Sequence, residues 1–168
     1  PVFEETSRIL KSGGWAILQT RDVRIGPRLV QVEAIHRTLL ENAGLHLYTR
    51  YFWRPVFTTL ARRRMRTSLS RRYGPLPFDP EVFLVFRKPD PSGGDISGLA
   101  ATPGDCALLS EDFMCTQPGR QPRLHRHHSP IPVLQALIGA FSQPGDLVVD
   151  PFAGAGTVLR LARNLERR

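Results

Sequence analysis

The chain of 168 residues is poor in cysteine and lysine and has no long hydrophobic run. Its two cysteines, Cys106 and Cys115, exclude a disulfide-rich scaffold and suit a reducing compartment, so we expect a cytoplasmic protein. No apolar run approaches the roughly 20 residues of a membrane helix, and no signal-peptide pattern opens the chain. With 41% hydrophobic and 23% charged residues, we expect one globular domain over 1–168 and no membrane partner.

Acidic residues are absent between Arg50 and Arg72, and this gap accounts for the net charge of +8. Arginine binds phosphate oxygens bidentately, and neighbouring aromatic side chains such as Tyr51 and Trp53 can stack on bases. The pattern predicts a nucleic-acid-binding segment over 50–80, although a solvated basic loop is the alternative. The predicted contacts come from the arginines of the stretch: Arg50, Arg54, Arg62, Arg63, Arg64, Arg66, Arg71 and Arg72.

Strand and helix patterns alternate along the chain, which predicts an α/β fold. Apolar residues at three- and four-residue steps predict helices over 2–11, 27–43, 131–142 and 157–165. The predicted apolar face of the second helix consists of Leu29, Val32, Ile35, Leu39 and Leu40. Strands are predicted over 15–20, 45–53, 81–87 and 147–149, and the fully apolar run of the last is typical of a parallel sheet. Residues 89–130 lose this periodicity and predict a long connection, which in compact domains usually carries function.

The segment QPGDLVVDPFAGAGTVLRL, residues 143–161, combines a predicted strand ending in Asp150, a glycine-rich turn and a predicted helix. Open α/β sheets bind cofactors at such strand ends, and a helix N-terminus attracts a carboxylate or phosphate. Glycines let the backbone approach a ligand closely. The turn matches neither the dinucleotide fingerprint nor the P-loop, so the ligand is of another kind.

The eight residues Asp150–Thr157, DPFAGAGT, resemble the D-P-F-x-G-[SA]-G-T motif of the amino-methylating DNA methyltransferases, the N6-adenine and N4-cytosine class. The resemblance covers most of the chain. RILKSGG at 8–14 is similar to the family's R-[VI]-L-K-P-G-G, with Ser12 in place of proline. EVFLVFRK at 81–88 is similar to a family strand, and HSPIPVLQAL at 128–137 resembles the segment before the cofactor loop.

This resemblance implies a Rossmann-like methyltransferase sheet of three α/β/α layers, with S-adenosylmethionine as cofactor and double-stranded DNA as partner. The methyl group would pass to an exocyclic amine of a flipped adenine (N6) or cytosine (N4). Residues 131–168 would form the cofactor-binding part, and 89–130 would include a target-recognition region. The residues implied to bind the cofactor are Asp150, Pro151, Phe152, Ala153, Gly154, Gly156, Thr157 and Pro132.

The family's catalytic motif, [DSN]-P-P-[YFW], does not occur in the sequence. Asp79-Pro-Glu and Asp90-Pro-Ser both fail at the second proline. In the family this motif precedes the helix that here is predicted from residue 2, and its strand lies between those predicted at 15–20 and 147–149. We therefore expect an incomplete domain with no catalytic residue, an isolated chain that is inactive, and marginal stability because two strands lose their shared neighbour.

Two further functions stay open at this point, an RNA-directed methyltransferase and a non-catalytic nucleic-acid-binding remnant. Metal binding is not predicted, because Cys106, Cys115 and the histidines at 125, 127 and 128 match no common zinc spacing. Asp22 follows the strand predicted at 15–20, where it is either a site residue or a turn or cap.

Overall fold

The computed structural model describes residues 2–55, 80–93, 103–111, 114–116 and 130–168. They belong to two compact units, Pro1–Pro89 and Asp90–Arg168. The first unit contains α1 (Val2–Ile9), β1 (Trp15–Thr20), β2 (Val23–Ile25), β3 (Arg28–Val30), α2 (Val32–Asn42), β4 (His46–Pro55) and β5 (Glu81–Arg87). The second contains α3 (Pro103–Leu109), β6 (Met114–Thr116), α4 (Ile131–Phe141) and α5 (Thr157–Asn164).

The sheet of the first unit places β5 between β1 and β4, and both pairings are antiparallel. The register joins Trp15 to Arg87 on one side of β5 and Trp53 to Glu81 on the other. This agrees with the strands predicted at 15–20, 45–53 and 81–87. The strand order means that β5, the last strand of this unit, lies between two earlier strands.

Strand β5 is the centre of the first unit's core. Every residue from Val82 to Phe86 is at most 5% exposed. Val82, Leu84 and Phe86 pack against Leu40 and Leu45, and Phe3 of α1 and Leu10 just after it pack against the same cluster. A strand buried on both faces has no polar alternation, which explains the continuous apolar run VFLVF.

Lys88 fastens helix α1 to the end of β5. Its ammonium group donates hydrogen bonds to the carbonyl oxygens of Ser7, at 2.7 Å, and Leu10, at 2.8 Å. The Ser7 carbonyl lies in the last turn of the helix and the Leu10 carbonyl just after it, where carbonyl oxygens lack intrahelical partners. The backbone of Lys88 also bonds to Gly13 and Gly14, so the RILKSGG segment is held as a structural joint.

The helix predicted over 27–43 is correct only from Val32 onward, because residues 28–30 form β3 instead. β3 pairs with β2 in an antiparallel hairpin around Gly26 and Pro27, and the helical spacing that included Leu29 was coincidental. On α2 it is Leu40 that is buried, whereas Ile35 and Leu39 of the predicted apolar face are 51% and 45% exposed.

The second unit departs from the sequence predictions in two places. The connection predicted over 89–130 contains α3 and β6. The strand predicted at Leu147–Val149 is not formed: Leu147 is 73% exposed and Val149 is 56% exposed. Helices α4 and α5 agree with prediction to within one residue at each end. Within the described ranges, no helix is both long and apolar enough to cross a bilayer.

Candidate functional site

The candidate site is the loop between Val149 and α5, and it opens with a turn made by Asp150. The Oδ1 atom of Asp150 accepts a hydrogen bond from the backbone N–H of Phe152 at 3.0 Å. This is the local side-chain turn that aspartate favours. The carboxylate is half-buried, and no second bond to it is found among the described residues. The turn leaves one carboxylate oxygen for a ligand's ammonium or hydroxyl group.

Two glycines let the loop reverse before the helix begins. Gly154 has φ 51° and Gly156 has φ 69°, both in the left-handed region that other residues avoid. Gly156 donates its N–H to the Ala153 carbonyl at 2.6 Å, and its own carbonyl accepts from Arg160 at 3.0 Å. A side chain built at Gly156 would meet nothing within 4 Å, so the space beside this backbone is open.

Helix α5 starts directly at the end of this loop, and Gly156 is its N-cap residue. No side chain caps its N-terminus, so its first turn presents the positive end of the helix dipole. Thr157, the first helical residue, is only 6% exposed. A ligand carboxylate is the kind of group that such a terminus binds.

A small apolar cluster holds the loop between α4 and α5. Ile138, Leu161 and Ala162 are buried, and Val148 and Val158 pack against them. Only the middle residue of the Leu147–Val149 run therefore points into this core. The apolar neighbours on either side of it stay exposed, as does Phe152 at 70%.

The last three residues bind back onto the segment before the loop, a feature that sequence analysis missed. The Val148 N–H donates to the Arg168 carbonyl at 2.7 Å, and the Arg168 N–H donates to the Asp146 carbonyl at 2.8 Å. Hydrogen bonds that alternate in this way between two segments running in the same direction are the start of a parallel ladder. It explains why Leu147–Val149 is extended without being a strand: the ladder within the described part is too short.

Arg167 strengthens this attachment from the side chain. Its Nε donates to Ser142 Oγ at 2.9 Å, and its Nη2 donates to the Ser142 carbonyl at 2.7 Å. Nothing in the local sequence around residue 167 indicates these contacts, because they join positions 25 residues apart. The residues on either side of the loop, Val148 and Val158, pack on the apolar cluster, and the bonds of Arg167 join the end of the chain to Ser142.

The predicted cofactor residues form one continuous loop, apart from Pro132. Asp150, Ala153 and Gly156 are half-buried, whereas Pro151, Phe152 and Gly154 are exposed. Pro132 is exposed near the start of α4, and its neighbour Ile131 packs on the same cluster as Val148. The exposed set presents an apolar ring and open backbone, which suit a ligand with an apolar and a charged part.

The predicted nucleic-acid residues are described only in part. Arg50 and Arg54 lie on β4, and Arg54 is exposed. The Nη1 atom of Arg50 lies 3.3 Å from Glu33 Oε1, and its Cζ atom lies 5.5 Å from the centre of the Phe52 ring. The predicted contacts at Arg62, Arg63, Arg64, Arg66, Arg71 and Arg72 lie outside the described residues.

Asp22 acts as a helix cap, the structural alternative to a site role. Its Oδ1 accepts a hydrogen bond from the Glu33 N–H in the first turn of α2 at 3.1 Å. In the described part of the chain, no group of three or more histidine, cysteine or acidic side chains could hold a metal ion. The histidines at 125, 127 and 128 lie outside that part, so the prediction that the chain binds no metal stays a prediction.

Comparison with known proteins places the chain in a family. The family model described as "DNA methylase", of the N6 and N4 class, matches residues 1–168, and the chain belongs to this family. A curated relative, the type II methyltransferase M.EcaI of Enterobacter cloacae, is 47% identical over 36 residues, which are 21% of this chain and 8% of that protein.

Solved structures give the same fold. A putative DNA modification methylase of Thermus thermophilus, TTHA0409, in complex with S-adenosyl-L-methionine, has a TM-score of 0.72 at 22% identity, covering 99% of this chain and 66% of that one. The cytosine-N4-specific PvuII DNA methyltransferase has a TM-score of 0.73 at 14% identity, covering 98% and 61%. The predicted Rossmann-like α/β methyltransferase class is therefore confirmed, over a chain that spans about two thirds of these structures.

Proposed function

We propose that this chain functions in the S-adenosylmethionine-dependent methylation of DNA at an exocyclic amine, adenine N6 or cytosine N4. The observation that carries the proposal is the Asp150–Thr157 loop, with its two left-handed glycines and the uncapped start of α5. Family membership over the whole chain supports the same conclusion. The proposal covers the cofactor and the reaction class, and it leaves the choice between adenine and cytosine to experiment.

The loop residues fit the parts of S-adenosylmethionine. The N-terminus of α5 suits the carboxylate of the methionine end, and the second oxygen of Asp150 suits its ammonium group. The open backbone beside Gly156 admits the ligand without a clash, and the exposed Phe152 ring offers an apolar wall. When bound, the cofactor supplies an electrophilic methyl group, so the chain's contribution is to hold and orient it.

DNA binding is proposed for the arginine-rich stretch between Arg50 and Arg72, on its charge. Alanine at Arg62, Arg63 and Arg64 should weaken duplex binding and reduce the slope of log affinity against log salt by about 0.9 for each phosphate that is no longer neutralised. A salt slope equal to that of the wild type would contradict this part of the proposal.

Cofactor binding is tested by calorimetric titration of S-adenosylmethionine into the chain and into Asp150→Asn. Asparagine keeps an oxygen for the Phe152 turn but removes the charge. We expect the chain to bind and the variant to lose about tenfold or more in affinity, which corresponds to about 1.4 kcal/mol. Asp90→Asn is the matched control, because Asp90 makes the same turn with the Ser92 N–H at 3.0 Å.

A chain that binds no S-adenosylmethionine, or equal affinity in Asp150→Asn, would overturn the cofactor proposal. Transfer of labelled methyl to duplex DNA separates the remaining possibilities. Transfer to DNA supports the enzyme, and preferential transfer to structured RNA supports an RNA-directed methyltransferase. Binding of both ligands without transfer is the result expected both of an incomplete methyltransferase domain and of a non-catalytic remnant.

A further inference from the structure

The hairpin formed by β2 and β3 has no place in the site described above. Val23 pairs with Val30, Arg24 with Leu29 and Ile25 with Arg28, so Gly26 and Pro27 form a two-residue turn. The φ of 59° at Gly26 is the positive value that such a tight hairpin turn needs at its first position. Arg24 Nη1 donates to the Pro27 carbonyl at 3.2 Å and steadies the turn.

Three large apolar side chains on this hairpin are exposed. Ile25, beside the turn, is 67% exposed, and Val23 and Leu29 are 43% and 42% exposed. Val23 and Ile25 lie on one face and Leu29 on the other, because side chains alternate along a strand. None of the three belongs to a packed cluster of the described residues. Ile25, beside the turn, is therefore the apolar side chain of this hairpin that is most available to a partner.

The charge of the hairpin is of one sign. Arg24 and Arg28 flank the turn, and no acidic residue lies between Val23 and Val30. The nearest acid, Asp22, is occupied by the Glu33 N–H at the start of α2. Arg28 is exposed, and Arg24 is half-buried. The tip is therefore a positively charged element with an apolar side chain at its centre.

The base of the hairpin is fixed to the sheet. Asp22 joins the chain before β2 to α2 after β3, closing the hairpin across its base. The Arg21 guanidinium lies 3.9 Å from the Glu81 carboxylate at the start of β5. The hairpin follows the carboxyl end of β1, at the edge of the sheet where β4 also ends and β5 begins.

We propose that this hairpin contacts DNA, with Arg24 and Arg28 on backbone phosphates and Ile25 placed against a base step as an apolar wedge. Proteins that distort DNA insert isoleucine, leucine or proline between base pairs in this way and hold the adjacent phosphates with arginine. A wedge would favour the unstacked, flipped base that methylation of an exocyclic amine requires. This inference rests on the proposed function, since it takes DNA as the substrate.

The test separates the phosphate role from the wedge role, using the full chain and a duplex that carries 2-aminopurine. Changing both arginines, Arg24→Gln with Arg28→Gln, should reduce the salt slope of binding by about 1.8, which is about 0.9 for each of two phosphates. Arg163→Gln, an exposed arginine on α5, is the matched control and should leave the slope unchanged.

Ile25→Ser should leave the salt slope unchanged and abolish the rise in 2-aminopurine fluorescence that reports unstacking. Ile35→Ser is its control, because Ile35 is an isoleucine of similar exposure on α2. Urea unfolding of each variant shows whether it is folded. Since none of the substituted positions is buried, we expect the urea midpoint of each variant to stay close to that of the wild type.

Wild-type slope and fluorescence in the hairpin variants, with a reduced slope in the variant lacking Arg62, Arg63 and Arg64, would overturn the hairpin proposal alone. No duplex binding by the wild type would overturn the proposed function together with it. A basic apolar hairpin could also enter an anionic bilayer. Binding to phosphatidylglycerol vesicles that Ile25→Ser abolishes, without any effect of that variant on DNA, would replace the DNA proposal with a membrane one.

Discussion

Two apolar runs of this chain, Val82–Phe86 and Leu147–Val149, lie in opposite environments. The first is the central strand of a sheet and is almost wholly buried. The second is extended, but only its middle residue packs into a core. The difference lies in their neighbours: β5 pairs along its length with β1 and β4, whereas Asp146–Val148 meets only the last residues of the described chain.

This contrast shows that an apolar run favours burial, but whether the run is buried depends on the segments that pair and pack with it. A strand needs partners for its backbone N–H and C=O groups on at least one side. The exposed run, moreover, leads straight into the proposed cofactor loop. Ligand-binding loops are drawn from the less stable parts of a protein, so weak packing there is compatible with the proposed function.

The largest expected difference in the free energy of unfolding is between two variants that each truncate one leucine, one in each run. Leu84→Ala leaves a cavity at a fully buried position of β5 and should lower the free energy of unfolding by about 2–5 kcal/mol. Leu147→Ala removes a side chain that is 73% exposed and should change it by no more than about 0.5 kcal/mol. Urea denaturation followed by circular dichroism measures both, and equal losses would contradict the contrast.

An intermediate effect is expected where Lys88 joins α1 to the end of β5. Lys88→Met keeps most of the apolar stem but removes two hydrogen bonds to helix carbonyls. Bonds made by a charged donor contribute more than neutral ones, so we expect a loss of about 1–3 kcal/mol in the free energy of unfolding. The chain's other lysine, Lys11, is exposed, so Lys11→Met should lower the free energy of unfolding by less. If Lys11→Met lowers the free energy of unfolding as much as Lys88→Met does, the two hydrogen bonds of Lys88 are not what holds α1.

The smallest effects distinguish the helix ends of the two units. Both α2 and α5 end in a Schellman motif, in which the Leu45 N–H bonds to the Leu40 carbonyl and the Arg167 N–H to that of Ala162. The left-handed position is Gly44 in the first motif but Glu166, with φ 63°, in the second.

Exchanging these residue types should therefore act in opposite directions. Gly44→Ala should destabilise the chain by about 1 kcal/mol, and Glu166→Gly should stabilise it by about the same amount, since only glycine adopts this conformation without strain. Thermal unfolding monitors both, with Glu166→Ala as the control that retains the strained conformation. A lower melting temperature for Glu166→Gly than for Glu166→Ala would show that the left-handed backbone at residue 166 does not limit stability.

Sequence analysis captured the elements whose periodicity is local. Strands β1 and β5 and helix α1 end within two residues of their predicted limits, and the D-P-F-A-G-A-G-T loop leads into a helix as expected. It missed the β2–β3 hairpin because Leu29 continues the spacing of α2 by chance, although the Gly26-Pro27 pair is a turn signal. The Arg167–Ser142 contacts and the failure of Leu147–Val149 to form a strand depend on tertiary neighbours, which no local pattern encodes.

Backbone hydrogen exchange with and without S-adenosylmethionine shows whether the Asp150–Thr157 loop holds the cofactor. We predict slower exchange at the amides of Asp150, of residues 152–157 and of the first turn of α5 when the cofactor is added, because a bound ligand stabilises the conformation it binds. The amides of Val82–Phe86 should keep their rates relative to the rest of the first unit. Unchanged exchange at these amides with saturating cofactor would mean that the loop does not hold the cofactor.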